Sequence, residues 1–340
     1  MKRLKNFIIP IFIPNEGCPH RCVFCDQRSI SGSREKKVDE KEIRETVINF
    51  RSSRSDWDGR VELAFFGGTF TALAPLRQVK LLTIARSMID EGLIDGIRLS
   101  TRPDAITEQS LDVLEEFGVE TIELGVQSFV DDVLQRAKRG HTAKDSIHAA
   151  YLLKKGGISW VAQLMVGLPG DTWETMLFTA REVLKLSPDA ARIYPCVVIR
   201  GTELEQMYND GRFIPLTLDE TVSIIKEYIL IFNQAALPII RIGVHPSREL
   251  ESNIVAGPYH PALKSLVNQE LLCDLIVQKV STHDKIPDNV VVTVNPRSVS
   301  DAVGNRRTNI ERIKQNLKCM SVRVLSDSRV PRGEVTVGGF

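Results

Sequence analysis

The stretch that decides the fold is Gly17-Cys18-Pro19-His20-Arg21-Cys22-Val23-Phe24-Cys25. Three cysteines stand at C-x3-C-x2-C spacing, directly after the apolar run Phe7–Ile13. Thiolates this close in sequence converge on one centre when the backbone loops around it. Sulfur-rich ligation is typical of zinc, copper(I) or an iron–sulfur cluster. The pattern therefore predicts a metal centre in the loop after a first strand.

The other cysteines do not complete the ligand set of a zinc site, which usually has four ligands. The other three cysteines, Cys196, Cys273 and Cys319, are isolated and distant in sequence. His20 lies inside the loop, a position from which its side chain would reach the same metal only with difficulty. Three thiolates on a four-iron cluster leave one iron without a protein ligand, and that open iron is where chemistry can occur. The alternatives are three reduced structural cysteines or an incomplete zinc knuckle.

The composition is ordinary for a globular protein of 340 residues, with 43% hydrophobic and 26% charged residues. The net charge of +1 does not indicate a polyanion-binding molecule as a whole, so we expect no DNA partner, although local basic segments can bind RNA. The run Phe7–Ile13 is too short for a signal peptide and is interrupted by Pro10. Because clustered metal-binding thiolates need a reducing compartment, we expect a cytoplasmic protein with no membrane partner.

Strand and helix patterns alternate along most of the chain. Predicted strands are Phe7–Ile13, Val61–Phe66, Gly96–Ser100, Glu120–Val126, Trp160–Val166, Ala191–Ile199 and Ile239–Val244. Predicted helices are Asp39–Phe50, Pro75–Ile89, Thr107–Phe117, Thr142–Lys155, Trp173–Leu186 and Leu218–Ala235. This order indicates α/β architecture with parallel pairing, and it predicts a full or partial (β/α) barrel whose site lies at the carboxyl ends of the strands.

The residues after the barrel predict a small α/β C-terminal domain, with the domain boundary between residues 245 and 246. Its predicted elements are Ala262–Val280 (helix), Asn289–Val294 (strand), Ser298–Val303 and Thr308–Leu317 (helices) and Met320–Leu325 (strand). The β-α-loop-α-β order resembles the KH RNA-binding module, which clamps nucleotides with a GxxG loop. Here the loop is Gly304-Asn305-Arg306-Arg307, with Arg307 in place of the second glycine.

Basic side chains of this KH-like pattern are the candidates for RNA contacts. They are Arg306, Arg307, Lys314 and Lys318. The alternative is a small cap that covers the barrel and binds nothing. Near the start of this domain, Tyr259 and His260 follow a Gly-Pro turn that could face the barrel mouth, where a histidine can exchange protons with a substrate. The alternative is a histidine that only caps a helix or fills an interface.

The cysteine spacing, with an aromatic residue before the last cysteine, resembles the signature of the radical S-adenosylmethionine (SAM) superfamily. The resemblance implies a [4Fe-4S] cluster held by Cys18, Cys22 and Cys25, with SAM on the open iron. It also implies reductive cleavage of SAM to a 5′-deoxyadenosyl radical. Such an enzyme needs an electron donor such as flavodoxin or ferredoxin.

Further motifs narrow the resemblance to the branch of the oxygen-independent coproporphyrinogen oxidases and the catalytic subunit of the Elongator complex. They are Gly67-Gly68-Thr69, Leu124–Ser128, Arg139–Thr142 and Gly167–Gly170, with STRPD at Ser100–Asp104 and VVIRGTEL at Val197–Leu204 closest to the Elongator subunit. The resemblance implies that the glycine loop contacts the amino group of SAM, Gln127 and Gln163 its ribose, and Arg139 its carboxylate. The alternative for Arg139 is a charge in contact with solvent. The alternative for the two glutamines is that their side-chain amides only form hydrogen bonds with backbone groups.

The chain departs from both families of this branch. The residues after the barrel lack a glycine-rich acetyl-CoA loop, and almost nothing precedes the first strand, so we expect neither acetyl transfer nor porphyrin chemistry. We expect a radical SAM enzyme that modifies an RNA, with tRNA as the leading candidate. The alternatives are a radical SAM enzyme acting on a small metabolite, with the C-terminal domain as a lid, and a non-catalytic RNA-binding protein with a structural cluster.

Overall fold

Seven parallel strands form the main sheet, in the order β1-β2-β3-β4-β5-β6-β8. They are β1 (Phe7–Phe12), β2 (Val61–Phe66), β3 (Gly96–Thr101), β4 (Val119–Gln127), β5 (Ser159–Val166), β6 (Ala190–Pro195) and β8 (Ile239–Ile242). The computed structural model describes residues 6–27, 38–54, 57–283 and 285–338. Because sequential strands are spatial neighbours, the sheet winds in one direction into a partial barrel, as expected.

Helices alternate with these strands, and small strands and helices extend the loops. The helices are α1 (Glu40–Ser52), α2 (Pro75–Asp90), α3 (Glu108–Glu116), α4 (Asp131–Arg136), α5 (Ala143–Lys155), α6 (Trp173–Lys185), α7 (Glu203–Asn209), α8 (Leu218–Gln234) and α9 (Arg248–Asn253). The two-stranded sheet pairs β7 (Val198–Ile199) with β9 (Ile254–Ala256) in antiparallel orientation. Among the residues that the structure describes, every helix falls short of the length and apolarity needed to cross a membrane.

Local sequence explains where several helices begin. Three threonines precede helices, namely Thr107, Thr142 and Thr172. The side chain of each accepts a hydrogen bond from the backbone N–H of the third helical residue, and the side-chain oxygen of that residue accepts one from the backbone N–H of the threonine. This capping box satisfies backbone N–H groups that have no partner inside the helix. The helices α3, α5 and α6 therefore start at defined positions and fix the length of the loop before each of them.

One predicted strand is wrong, and several short elements were missed. The stretch Ala191–Ile199 is not a single strand, because β6 ends at Pro195 and β7 belongs to another sheet. Cys196 donates its backbone N–H to Val166 at 2.9 Å, but the chain then turns away from the barrel. The helices α4, α7 and α9 and the strand β9 have no strong sequence periodicity, since each is seven residues or shorter.

A chain of buried charges crosses the interior of the barrel. Arg98 on β3 contacts Glu62 on β2 at 2.7 Å and Glu123 on β4 at 3.2 Å. The same Glu123 oxygen contacts Arg192 on β6 at 2.7 Å. Barrel interiors are usually filled by branched apolar side chains. Here charged groups stand at those positions, and their opposite signs compensate the cost of burial.

Contacts divide the chain into two compact units, Met1–Thr217 with Ile231–Tyr259, and Leu218–Leu230 with His260–Phe340. The predicted boundary at residues 245 and 246 remains a prediction. The second unit contains α10 (Leu263–Ser281), β10 (Asn289–Val294), α11 (Val299–Val303), α12 (Thr308–Leu317), β11 (Ser321–Ser326) and β12 (Val335–Gly338).

The second unit has the predicted β-α-loop-α-β order, with one strand added at its end. Its central strand β10 pairs in parallel with β11 and in antiparallel orientation with β12. Buried residues of α10 and of both shorter helices form one apolar core with the inner face of the sheet. Whether this unit functions as a KH domain stays a prediction.

We predict that Arg98→Met destabilises the first unit by about 3–5 kcal/mol, because it removes the guanidinium that the buried carboxylates of Glu62 and Glu123 share and leaves Glu123 with Arg192 alone. All three tryptophans lie in this unit, so urea denaturation followed by tryptophan fluorescence reports its unfolding. The matched control is Arg86→Met, which removes an exposed pair with Asp90 at 3.3 Å and should change stability by less than about 0.5 kcal/mol. Equal midpoints for the two variants would contradict the structural role of the charge chain.

Candidate functional site

A cavity of about 1640 Å³ opens in the first unit, along the interior of the barrel and the carboxyl ends of its strands. It is lined by all three cysteines of the first loop and by all six predicted SAM contacts. The residues from the sequence prediction that line it are Cys18, Cys22, Cys25, Gly67, Gly68, Thr69, Gln127, Arg139, Gln163 and Tyr259. Residues as far apart in sequence as Cys18 and Tyr259, which are 241 positions apart, therefore line the same cavity.

The cysteine loop and the glycine loop interlock through their backbones. Thr69 donates its N–H to the carbonyl of Glu16 at 2.9 Å. A Cβ atom on Gly68 would lie 2.3 Å from that carbonyl oxygen, and one on Gly17 would lie 2.3 Å from the carbonyl oxygen of Thr69. Both glycines also serve as packing residues, because any side chain would force the two loops apart.

The side chain of Val23 anchors the middle of the cysteine loop. It is 1% exposed and packs in a small apolar core with Leu204 and Ala137. Its N–H donates to the carbonyl of Ala137 at 3.2 Å, and its carbonyl accepts from Leu204 at 2.8 Å. Since Val23 lies between two of the cysteines, this anchor fixes where Cys22 and Cys25 can point.

The environment of the Cys25 thiol favours its neutral form. Burial, followed by the neighbouring Cys22 and Cys18, raises the pKa of Cys25 to about 12. Within the described ranges, no group of three or more His, Cys, Asp or Glu side chains converges on the position of a single metal ion.

Arg139 connects the cysteine loop to strand β4. It is 7% exposed, and its Nη1 donates to the Sγ of Cys22 at 3.2 Å while its Nη2 donates to the carbonyl of Gly125 at 2.7 Å. Its Nε is buried and has no partner among the described residues. A buried donor left without a partner is costly, so an acceptor from a bound molecule would complete this site.

The side chain of Gln127 carries a second buried polar atom that has no hydrogen-bond partner among the described residues. The strand register shifts between Leu124 and Gln127, and the backbone of Gln127 takes a left-handed conformation with φ of 65°. Such an irregularity redirects a side chain, here towards the cavity. Its Oε1 is buried without a partner within the described ranges. Gly125 allows this arrangement, since a Cβ there would lie 3.1 Å from Arg139 and 3.2 Å from the Gln127 amide.

These observations fit a cluster bound by the three thiols with a polar cofactor beside it. Gln163 also lines the cavity and is half-buried. The roles assigned to the thiols, the glycine loop, Arg139 and the two glutamines remain predictions. The neighbouring His141 is different, because burial and the charge of Arg139 lower its pKa to about 3 and keep the imidazole neutral.

The two candidate catalytic residues separate in the structure. Tyr259 lines the cavity, and its hydroxyl donates to Glu251 at 2.8 Å. Partial burial and that carboxylate raise the pKa of Tyr259 to about 12, so the hydroxyl keeps its proton. His260 belongs to the second unit, where its Nδ1 accepts from the N–H of Ala262 ahead of α10. A catalytic role for either residue stays a prediction.

Sequence reasoning missed the charged side chains inside the barrel. Arg98, Glu123 and Arg192 line the cavity together with Arg241. The available signal was a charged residue within each of four strands that parallel packing should bury on both faces. A buried strand tolerates such a residue only where another charge or a ligand meets it.

The second unit presents the four basic residues predicted to contact RNA. Arg306 and Arg307 are exposed, and both have left-handed backbones with φ of 49° and 65°. Lys318 is also exposed and left-handed, with φ of 53°. The fourth, Lys314, forms an ion pair with Glu311 at 3.1 Å, so its charge is partly offset.

Hydrogen bonds from Asn305 and Asn309 fix the position of the basic loop, Gly304-Asn305-Arg306-Arg307. Asn309 is 1% exposed, and its Nδ2 donates to the carbonyls of Gln269 at 2.8 Å and of Asp301 at 3.0 Å. The N–H of Asn305 donates to the side chain of Gln269 at 3.1 Å. Gly304 is required at the start of the loop, because a Cβ there would lie 2.7 Å from the backbone nitrogen of Asn309.

Comparison with known proteins identifies relatives among the archaea. An uncharacterized protein of Methanocaldococcus jannaschii is 32% identical over 238 residues, which cover 66% of this chain and 71% of that protein. A tRNA uridine(34) acetyltransferase of the same organism is 29% identical over 257 residues, covering 64% of this chain and 48% of the relative. The chain therefore spans about half the length of that named relative.

The chain is also similar to a solved structure and matches two family models. The structure of Methanocaldococcus infernus Elp3 with an N-terminal deletion matches with a TM-score of 0.62 and 25% identity, covering 78% of this chain and 62% of that one. Residues 188–272 match the radical SAM C-terminal domain. Residues 12–183, about half of the chain, match the radical SAM superfamily, and the chain belongs to that superfamily.

Proposed function

We propose that this radical SAM enzyme uses a [4Fe-4S] cluster and SAM to modify an RNA, with tRNA as the substrate. The family implies both cofactors. The observation that carries the proposal is the single cavity that joins the three thiols, the two buried groups without partners and the charged barrel interior. When bound, the cluster and SAM supply the electron and the radical that removes a hydrogen atom from the substrate.

The protein residues bind and orient in this proposal. Cys18, Cys22 and Cys25 hold the cluster, and the interlocked glycine loop keeps their backbone in place. Arg139 offers its Nε to the carboxylate of SAM, and Gln127 offers its Oε1 to a ribose hydroxyl. The tight core around Val23 excludes water beneath the loop. An external electron donor, such as flavodoxin or ferredoxin, reduces the cluster.

The size of the cavity supports a substrate that enters the barrel beside the cofactors. Ligand pockets usually measure about 300–1,000 Å³, and this cavity is about 1640 Å³. Charged and polar side chains of β3, β4, β5 and β6 are among the residues that line it. An RNA enzyme can place one nucleotide in such a space after it is flipped out of its stack.

Two observations support RNA as the class of substrate. The named relatives include tRNA uridine(34) acetyltransferases and Elongator complex protein 3. In the second unit, the exposed guanidiniums of Arg306 and Arg307 stand on a loop fixed by Asn309, and backbone strain of this kind concentrates at functional sites. Membership in the family also favours an enzyme over a non-catalytic RNA-binding protein.

The cofactor proposal predicts weaker SAM binding when Arg139 is replaced. In the anaerobically reconstituted protein, Arg139→Ala should weaken binding by about 1.5–3 kcal/mol, the usual value of a hydrogen bond to a charged group. Arg139→Lys should recover only part of this, because an ammonium lacks the planar fork. The readout is isothermal titration, with absorbance of the cluster as a check on loading. Lys138→Ala, which removes an exposed ion pair with Glu203, is the matched control. Equal affinity in wild type and Arg139→Ala would refute the role.

The substrate proposal predicts a missing modification in tRNA. Cells that lack the gene should lose one modified nucleoside from total tRNA, measured by mass spectrometry of digested nucleosides. The wild-type gene should restore it, and a gene with Cys22→Ala should not, because the cluster would lose one of its three thiolates. Identical nucleoside profiles with and without the gene would overturn tRNA as the substrate.

The basic loop predicts salt-dependent RNA binding. Phosphate contacts on single strands release counterions with a slope of about −0.7 per contact. The double variant Arg306→Ala, Arg307→Ala should therefore bind RNA more weakly and make the slope shallower by about one to one and a half units. Fluorescence anisotropy at several salt concentrations measures this.

The control for this experiment removes two guanidiniums of the same unit that are already paired. These are Arg312, which contacts Glu270, and Arg329, which contacts Asp327 at 2.6 Å. The double variant at these positions should keep the wild-type slope. If the wild-type protein shows no salt-dependent binding, or both double variants behave alike, the second unit does not hold RNA through this loop.

A further inference from the structure

We propose that Arg192 and Arg241 form an oxyanion-binding site in the barrel, which receives a phosphate or a carboxylate of the substrate. Both residues line the cavity. The inference rests on the proposed function, since it assigns the part of the same cavity that holds the substrate. It uses side chains that have no assigned role in holding the cluster or SAM.

Arg192 is positioned with donors to spare. Its Nη2 donates to Glu123 at 2.7 Å, its Nη1 lies 3.3 Å from the hydroxyl of Tyr194, and its Cζ lies 5.6 Å from the centre of the Phe66 ring. These contacts fix the guanidinium in one orientation. Its Nε is buried and has no partner within the described ranges. A fixed guanidinium with an unused donor is suited to an incoming acceptor.

Glu123 does not fully neutralise this region. The carboxylate oxygen that contacts Arg192 also contacts Arg98 at 3.2 Å. Glu62 contacts Arg98 as well, but no contact joins it to Arg192 among the described residues. The negative charge that reaches Arg192 is therefore shared between two guanidiniums, and a further anion can bind there with a net electrostatic gain.

Arg241 adds a second positive charge at the adjacent position. It is the direct register partner of Arg192, across the pairing of β6 with β8. Its Nε donates to the carbonyl of Gly243 at 3.2 Å, which leaves the two Nη groups outside that contact. Like charges placed directly opposite each other on neighbouring strands repel. An oxyanion between them would remove this repulsion and accept hydrogen bonds from both.

Two substrate classes carry the required group. A nucleotide of an RNA presents a phosphate, and a small metabolite would present a carboxylate. Planar guanidiniums bind both, often with two parallel hydrogen bonds. The proposed function favours the phosphate, and titration with the two kinds of anion separates them.

The test is a binding titration with the full-length, anaerobically reconstituted protein at fixed salt. The probes are the four common nucleoside 5′-monophosphates and the four corresponding nucleosides, with succinate and citrate as carboxylates. We expect at least one monophosphate to bind about ten-fold or more tightly than its nucleoside. Arg241→Gln and Arg192→Gln should each remove most of this preference. Both variants leave Glu123 paired with Arg98, which protects the fold.

Arg181→Gln is the matched control, because Arg181 is exposed on helix α6 and does not line the cavity. Unchanged cluster absorbance and SAM affinity in all three variants show that the cofactor site is intact. If succinate or citrate shows the arginine-dependent preference and the monophosphates do not, the site stands and the substrate is a metabolite. If no anion shows it, or both arginine variants keep the wild-type preference, the proposal is wrong. A failed tRNA nucleoside experiment alone leaves this titration unaffected.

Discussion

The site depends on the close backbone contact between the cysteine loop and the glycine loop. Two carbonyl oxygens, those of Glu16 and Thr69, stand where side chains would start on Gly68 and Gly17. The hydrogen bond from Thr69 to Glu16 holds the loops at this distance, and the Sγ of Cys18 lies 3.3 Å from the hydroxyl of Thr69. Preorganisation of this kind lets a short loop present three thiols in a fixed arrangement without help from a large core.

Charge organises the space below the loops. The barrel interior holds an open cavity, and charged and polar side chains stand among the apolar ones that line it. The resulting cavity has cysteines and amides near the strand ends, and a chain of alternating charges deeper inside. The same strands can therefore bind two partners of different chemistry, because residues near their carboxyl ends and residues deeper in the barrel line one cavity.

Two sequence patterns made the strands predictable: a mostly apolar run where a parallel strand is buried on both faces, and an alternation of apolar and polar residues where only one face is buried. Val61–Phe66 and Asn289–Val294 are strands with the predicted bounds. The loop motifs were predictable because each follows a strand. The contact of Arg139 with Cys22 was not, since it joins residues 117 positions apart. The break after Pro195 and the sharing of Glu123 by two arginines also depend on tertiary packing, to which local periodicity is blind.

The unpaired edges of the sheet have a topological consequence. In the described part of the chain, β1 and β8 each pair with the main sheet on one side only, and residues of both strands line the cavity. Pro10 within β1 lacks a backbone donor, which discourages another strand from adding at that edge. A closed barrel admits only what passes through its mouth. A barrel with an open flank can accept one unit of a long polymer sideways, so that the polymer never has to thread a free end.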